Sequence, residues 1–299
     1  MSTDIQVNQE KLMELFGSVF NDVAGSMAIM MSYLGDQSGV YRAMDKIGPA
    51  SVADIAKESG VDERYLLEWL SSNAGRGYVN YNAATEEFSL TPEQAAVFAR
   101  ENEPTCIQGL VQGVVGQFVK EDVAIDVFKT GRGRPWGEHH ECCFCGTERF
   151  FRPAYAGHLL DEWIPAMTGV EEKLKKGAIV ADIGCGLGTS SMLMAEQYPN
   201  STIHAFDFHG PSIEEAKKRA IVKGLSNLEF FVSDAAEIPK NSYDLACIFD
   251  AWHDMGDPVG IAKSIKETLA DDGTFMVVEP MALDGLENNI TNNPSSSMF

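Results

Sequence analysis

The stretch AIVADIGCGLGTSSMLMAEQYP, residues 178–199, decides the fold. Its first residues form an apolar run that contains one charged residue, Asp182, and the run ends in glycines. The residues after the last of these glycines are typical of a helix. Glycines at this point let the backbone pass close to a ligand and leave N–H groups exposed at the helix start. The sequence therefore predicts a strand, a ligand-binding loop and a helix.

The residues on the C-terminal side continue this pattern. Apolar strands alternate with amphipathic helices, and the predicted strands are 201–208, 228–234, 243–250 and 274–280. This alternation is typical of a mostly parallel sheet that helices cover on both faces, so the fold class is α/β. In such sheets ligands bind beyond the carboxyl ends of the strands.

The spacing of the glycines separates two kinds of cofactor. A dinucleotide fingerprint has Gly or Ala at its sixth position, which is Thr189 when counted from Gly184. The pattern is instead acid-x-G-x-G-x-G, which resembles motif I of class I S-adenosylmethionine-dependent methyltransferases. This resemblance implies a Rossmann-like core, and it implies that Asp182 accepts from the cofactor ammonium, directly or through water. The loop residues that would hold the amino-acid part of S-adenosylmethionine are Gly184, Cys185, Gly186 and Gly188.

Two further acids lie at the ends of successive strands. The resemblance implies that Asp207 accepts from both ribose hydroxyls and that Phe208 faces the adenine. Asp234 matches the family acid that recognises the adenine amino group, with the N–H of Ala235 beside it. An acid at a strand end is also a common helix cap, and this alternative stays open for Asp234 above all.

The candidate for chemistry follows the fourth strand, in FDAWHDMGDP, residues 249–258. The small-molecule O-methyltransferases that this chain resembles have a His-Asp pair here, matched by His253 and Asp254. Their histidine takes the proton of the acceptor hydroxyl. Methyl transfer from a sulfonium is an in-line displacement, so the protein mainly aligns the reactants and removes a proton. The alternative, that His253 only closes the cofactor pocket, stays open.

The neighbours of this pair complete the predicted site. We expect Asp250 and Tyr155 to help hold the cofactor, Tyr155 through the cofactor carboxylate. The related enzymes have Trp after the His-Asp pair, where this chain has Met255. They also have an acid after the fifth strand that orients the base, and Glu279 is its only match here.

The N-terminal part predicts a different fold. Capping residues and an alternating pattern indicate three short helices and a hairpin before residue 100, the order of a winged helix. Residues 1–100 hold 7 Lys+Arg and 14 Asp+Glu, whereas a DNA-binding domain needs a basic face. We therefore expect residues 1–100 to be an architectural, winged-helix-like domain.

Two segments carry patterns of their own. An apolar stripe at helical spacing runs from Lys11 to Leu34, and either its own domain or a second copy of the chain, in a homodimer, must cover it. Residues 101–168 are predicted to be a helical connector and active-site lid, with a loop that leads into a helix near Thr147. A Cys/His cluster occupies 139–145 of this loop. Because ligands from one short loop rarely close a tetrahedron, no metal site is predicted.

Composition limits the partners. The 299 residues include 44 Asp+Glu and 23 Lys+Arg, a net charge of −21, which disfavours nucleic acid and anionic membranes as partners. The chain contains no run near the ~20 apolar residues of a membrane span and no secretory signal. Six cysteines in a chain of this length do not make a disulfide scaffold, which indicates a reduced, cytoplasmic protein. Only 19 residues follow Pro280, so we expect the core at 169–299 to be C-terminally truncated, without the final hairpin of the related sheets.

Together these patterns predict methyl transfer from S-adenosylmethionine to a small-molecule acceptor, at a hydroxyl oxygen. The alternative from another class is a non-catalytic winged-helix regulator that senses S-adenosylmethionine. A nicotinamide dehydrogenase is disfavoured by Thr189.

Overall fold

The computed structural model describes residues 7–240 and 243–294. The chain forms two compact units, Met1–Pro153 and Ala154–Phe299. The division into three parts at residues 100 and 168 stays a prediction. No helix within the described ranges is long and apolar enough to cross a membrane.

The first unit is mainly helical. Its elements are α1 (Gln9–Gln37), α2 (Val40–Ile47), α3 (Val52–Ser59), α4 (Glu63–Gly75), β1 (Asn80–Asn82), β2 (Glu87–Ser89), α5 (Pro92–Phe98), α6 (Gln108–Val119), α7 (Glu121–Thr130) and α8 (Glu141–Ala154). The order from α2 to β2 confirms the predicted winged helix.

Local sequence explains the short helices of this domain. The Ser51 hydroxyl accepts from the Asp54 N–H and begins α3, and Asp62 begins α4 by accepting from two backbone N–H groups. Gly60 ends α3 in the left-handed conformation that glycine tolerates. These elements enclose a core of fully buried side chains that includes Tyr41, Met44, Ile55, Leu66 and Leu70.

The loop predicted to lead to Thr147 is shorter than expected, because α8 already begins at Glu141. Cysteine and glycine have low helix propensity, so the stretch 142–146 is typical of a loop when taken alone. Packing against α6 outweighs that preference. A Cβ atom placed on Gly146 would lie 2.4 Å from the Gly113 backbone nitrogen, so only glycine allows these two helices to come so close.

The second unit contains the predicted α/β core. It starts with a π-helical segment (Tyr155–Trp163) and continues with α9 (Ile164–Ala166), α10 (Val170–Lys176), β3 (Ile179–Ile183), α11 (Thr189–Gln197), β4 (Thr202–Asp207), α12 (Gly210–Lys223), β5 (Leu228–Val232), β6 (Tyr243–Phe249), α13 (Pro258–Thr268), β7 (Leu269–Val278) and α14 (Leu286–Asn292).

The sheet of this unit has the strand order β5-β4-β3-β6-β7, and all neighbouring strands are parallel. This order confirms the Rossmann-like prediction and brings the ends of β3, β4 and β6 to one edge of the sheet. The last strand starts at Leu269, five residues before the predicted start, with a register shift opposite 243–245. In the part of the chain that the structure describes, no antiparallel hairpin follows β7.

Candidate active site

The glycine loop after β3 is tightly packed on one side and open on the other. The N–H groups of Gly184 and Cys185 both donate to the carbonyl of Phe206, over 2.8 and 3.0 Å. Gly188 has a φ of 76°, and a Cβ atom there would lie 2.7 Å from the Phe230 ring. Gly186 has a φ of 54°, and a Cβ atom there would meet no atom within 4 Å. The loop therefore presents bare backbone to an open space.

Asp182 lies at the end of β3 and is fully buried. Its Oδ2 atom accepts from the hydroxyls of Ser190 and Ser191, which the sequence prediction had missed although both follow the loop directly. Within the described ranges its Oδ1 atom has no hydrogen-bond partner. Burial raises the pKa of Asp182 to about 6, against the opposing effect of the two hydroxyls. A buried acceptor without a donor suits a cationic or N–H group of a ligand.

Asp207 ends β4 and is also buried. Its two carboxylate oxygens accept from the backbone N–H groups of Gly186 and His209, each over 2.8 Å. Burial raises its pKa, while these two hydrogen bonds favour the ionised form. Because Gly186 is one of the donors, Asp207 is fixed directly beside the open face of the glycine loop. Phe208 follows with an exposed ring.

Asp234 lies after β5 and is exposed. Its side chain accepts from the Ala236 N–H over 2.8 Å and caps the single turn Ala235–Glu237. Asp234 thus makes the capping contact that was the alternative interpretation of this acid. Recognition of adenine by Asp234 and Ala235 stays a prediction.

Asp250 has a strained backbone. Its φ of 49° lies in the left-handed region, which costs a non-glycine residue on the order of 1 kcal/mol or more. Its N–H donates to the Val278 carbonyl, and its Oδ2 atom accepts from the Tyr155 hydroxyl over 2.7 Å. Burial raises the pKa of Asp250 to about 6 and also raises that of Tyr155. The structure thus brings together the two residues that the sequence predicted separately.

His253 is held by Glu279, the acid after β7. The Oε1 atom of Glu279 accepts from the N–H groups of Ala251 and Trp252, over 3.1 and 2.7 Å, and its Oε2 atom binds Nδ1 of His253. On the other side of the ring, Nε2 lies 3.7 Å from Asp254. Glu279 therefore fixes both the turn that carries His253 and the orientation of its imidazole.

The charges around His253 decide its pKa. Burial by itself favours the neutral ring. The hydrogen bond to Glu279 and the charges of Asp254, Glu279 and Asp250 outweigh burial and raise the pKa above its ordinary value. The imidazole is therefore a stronger base than in a free peptide.

Cys185 is buried in the glycine loop, and burial raises its thiol pKa. Among the described residues, no group of three or more His, Cys, Asp or Glu side chains is arranged to hold a metal ion.

Two family models match the chain. Residues 174–298 match the model of a methyltransferase domain, and residues 25–100 match that of an Rv2258c-like winged HTH domain. These matches confirm the predicted class. The chain therefore carries a methyltransferase domain preceded by a winged-helix domain.

Curated relatives differ in what they methylate. The chain is 28% identical over 172 residues to sterol 24-C-methyltransferase erg6 of Aspergillus fumigatus, covering 56% of this chain and 42% of that protein. It is 34% identical over 114 residues to tRNA (guanine-N(7)-)-methyltransferase of Hydrogenovibrio crunogenus, covering 34% of this chain and 48% of that protein. The chain thus spans less than half the length of these relatives.

Solved structures share the fold over nearly the whole chain. Mitomycin 7-O-methyltransferase MmcR matches with a TM-score of 0.69 at 16% identity, covering 93% of this chain and 84% of that one. A structure described as a putative O-methyltransferase from Nostoc punctiforme matches with a TM-score of 0.71 at 18% identity. The match covers 94% of this chain and 84% of that one. Human N-acetylserotonin methyltransferase, solved with S-adenosylmethionine, matches with a TM-score of 0.62 at 17% identity. The match covers 92% of this chain and 81% of that one.

The residues at the strand ends fit the cofactor of this class. The open face at Gly186 leaves room for a ligand, and the Oδ1 atom of Asp182 can accept a hydrogen bond. Asp207 accepts from the Gly186 N–H and so lies beside this open face.

Proposed function

We propose that this chain transfers a methyl group from S-adenosylmethionine to a hydroxyl oxygen of a small-molecule acceptor. The observation that carries the proposal is the hydrogen bond between Glu279 and Nδ1 of His253, next to the predicted cofactor loop. With Nδ1 engaged, Nε2 is the nitrogen that can take a proton. Enzymes that methylate without a base do not require an imidazole oriented in this way.

The cofactor, when bound, supplies the electrophilic methyl group on its sulfonium. We infer that Asp182 and the loop residues hold its amino-acid part and that Asp207 holds its ribose. Tyr155 and Asp250, which are hydrogen-bonded to each other, would border the same end of the site.

In the proposed reaction Nε2 of His253 takes the proton of the acceptor hydroxyl. The ring then becomes an imidazolium, and Glu279 stabilises it through the hydrogen bond at Nδ1. The acidic side chains around the ring stabilise the same charge. Their effect on the His253 pKa supports the role of a base at neutral pH.

The test compares binding with turnover. We expect His253→Ala to bind S-adenosylhomocysteine as the wild type does and to lose about 10²–10⁴-fold in methyl transfer to a panel of phenols and alcohols. His158→Ala, which removes a histidine outside the site, is the matched control and should retain activity. Unchanged turnover in His253→Ala would remove the proposed base.

A regulator that senses S-adenosylmethionine is the second candidate, because residues 25–100 match a winged HTH model. The helix in the position of a recognition helix, α4, carries Glu63 and Glu68 beside Arg64, which disfavours a DNA backbone. We therefore propose no nucleic-acid partner. A sequence-specific complex in gel shifts at low salt would favour the regulator.

We also infer a homodimer and a cytoplasmic location. The dimer would cover the exposed apolar face of α1, and six cysteines in a chain of this length do not indicate a disulfide scaffold, which suits a reducing compartment.

A further inference from the structure

Three thiols lie within the first turns of α8, and the proposed methyl transfer uses none of them. Cys142 and Cys143 are buried, whereas Cys145 is exposed. We propose that Cys142 and Cys145 form a reversible disulfide when the chain meets a low-molecular-weight disulfide. The pair would be an oxidation site in the N-terminal unit.

Helix geometry brings these two residues together. Positions i and i+3 share one face of an α-helix, with Cα atoms about 5 Å apart. This separation lies within the 4.4–6.8 Å range of disulfides. Both residues are close to the helix start, where the Cys142 N–H is held by Nδ1 of His140 rather than by a preceding helical turn. The first N–H groups of a helix have no intrahelical acceptor, so no helical hydrogen bond to a preceding turn is lost if the backbone at Cys142 shifts slightly.

Cys143 belongs to another face of the same helix. Its sulfur accepts from the Gln117 side chain over 3.6 Å, whereas the sulfur of Cys142 lies against Tyr33. Adjacent helical residues differ by about 100° in direction, so Cys143 is turned away from the pair. It is therefore the matched control for both partners.

The exchange proceeds in two balanced steps. The exposed Cys145 thiolate attacks one sulfur of the small disulfide, which forms a mixed disulfide and releases one small thiolate. The Cys142 thiolate then attacks the Cys145 sulfur and releases the second. Two protein thiols are oxidised, one small disulfide is reduced to two thiols, and the two protein protons end on the released thiols.

Oxidation would change the environment of Tyr33 on α1. The Tyr33 hydroxyl lies 3.4 Å from the Cys142 sulfur, and this hydrogen bond, with burial, raises the Tyr33 pKa to about 12. A disulfide sulfur carries no thiol proton and no thiolate charge. We therefore expect the Tyr33 pKa to fall toward its ordinary value of about 10 on oxidation.

The experiment equilibrates the full chain in buffers of stepped ratios of reduced and oxidised glutathione and maps disulfides by peptide mass spectrometry. We expect a Cys142–Cys145 bond in the wild type and in Cys143→Ser, and a glutathione adduct at Cys145 in Cys142→Ser. A Cys142–Cys143 bond, no protein disulfide at any ratio, or loss of the bond in Cys143→Ser would overturn the proposal. If Cys142→Ser does not fold, the disulfide maps of the wild type and of Cys143→Ser are sufficient to test the proposal. The pH titration of Tyr33 by NMR, before and after oxidation, is the second measurement.

Discussion

At the scale of single residues, the structure adds what sequence spacing cannot supply. The acids at the strand ends are evident from the motifs, because each follows an apolar run. The contact between Glu279 and His253 joins residues 26 positions apart, so it depends on β6 and β7 being neighbours in the sheet. The contact between Tyr155 and Asp250 joins residues 95 positions apart, so sequence spacing does not predict it either.

The raised pKa of His253 predicts the pH dependence of turnover. The base must be neutral, so kcat/KM should rise with pH and level off above a midpoint higher than the ordinary 6.5 of histidine. In Glu279→Gln the loss of the negative charge should move this midpoint to lower pH. The loss of orientation should also reduce the plateau by about 10–100-fold. Identical pH profiles for the two proteins would contradict the role of Glu279.

Asp207 is expected to control cofactor affinity and not proton transfer. Asp207→Ala should weaken S-adenosylhomocysteine binding by roughly 10–100-fold, since hydrogen bonds to a charged group contribute about 1.5–3 kcal/mol. Calorimetry measures this loss directly. Glu237→Ala, which removes an exposed acid of the neighbouring turn, should bind as the wild type does. Equal affinities for the two variants would contradict the assignment of Asp207.

At the scale of elements, hydrophobic periodicity predicted the strands and most helices. It failed where packing against another helix determines the local structure. Helix α8 forms despite its cysteines and glycine because α6 covers it. A buried ion-pair network also fixes it. Arg149 of α8 contacts Asp36 of α1 over 2.8 Å and Glu101 over 2.6 Å, and the Asp36 side chain is 2% exposed. Sequence patterns do not predict which distant residues form such ion pairs.

Breaking this network should destabilise the N-terminal unit. Asp36→Asn leaves the Arg149 guanidinium without one of its two charge partners, and removing one member of a buried pair costs about 3–5 kcal/mol. Urea unfolding of the full chain measures the loss. Glu68→Gln, which breaks the exposed pair with Arg64, is the control and should cost less than about 1 kcal/mol. A similar small loss for both variants would contradict a structural role of the network.

At the scale of the whole molecule, charge and exposed apolar surface point to different partners. The net charge of −21 disfavours polyanions. Ten large apolar residues of α1 have 41–62% of their surface exposed: Leu12, Met13, Leu15, Phe16, Val19, Phe20, Val23, Met27, Met30 and Leu34. Together they offer on the order of 1,000 Å², which is close to the ≈ 800 Å² that each partner buries in a standard interface. The sequence predicted the stripe, and these side chains remain exposed among the residues that the structure describes.

A second copy of this chain is the predicted cover of α1. Replacing Phe16 and Phe20 with Asp should convert a dimer into a monomer, because two charges in an apolar interface lose their water without gaining a partner. Light scattering after size exclusion measures the mass of each form. Replacing the exposed Phe128 of α7 with Asp is the control and should leave the dimer intact. A monomeric wild type would contradict the homodimer.

The strand-end residues are expected to bind S-adenosylmethionine and not a dinucleotide. Isothermal titration calorimetry of the wild-type chain with S-adenosylmethionine, S-adenosylhomocysteine and NAD tests this expectation most directly. We predict saturable binding of the first two ligands and no saturable binding of NAD. Tight binding of NAD without binding of S-adenosylhomocysteine would rule out the assignment of these residues to S-adenosylmethionine.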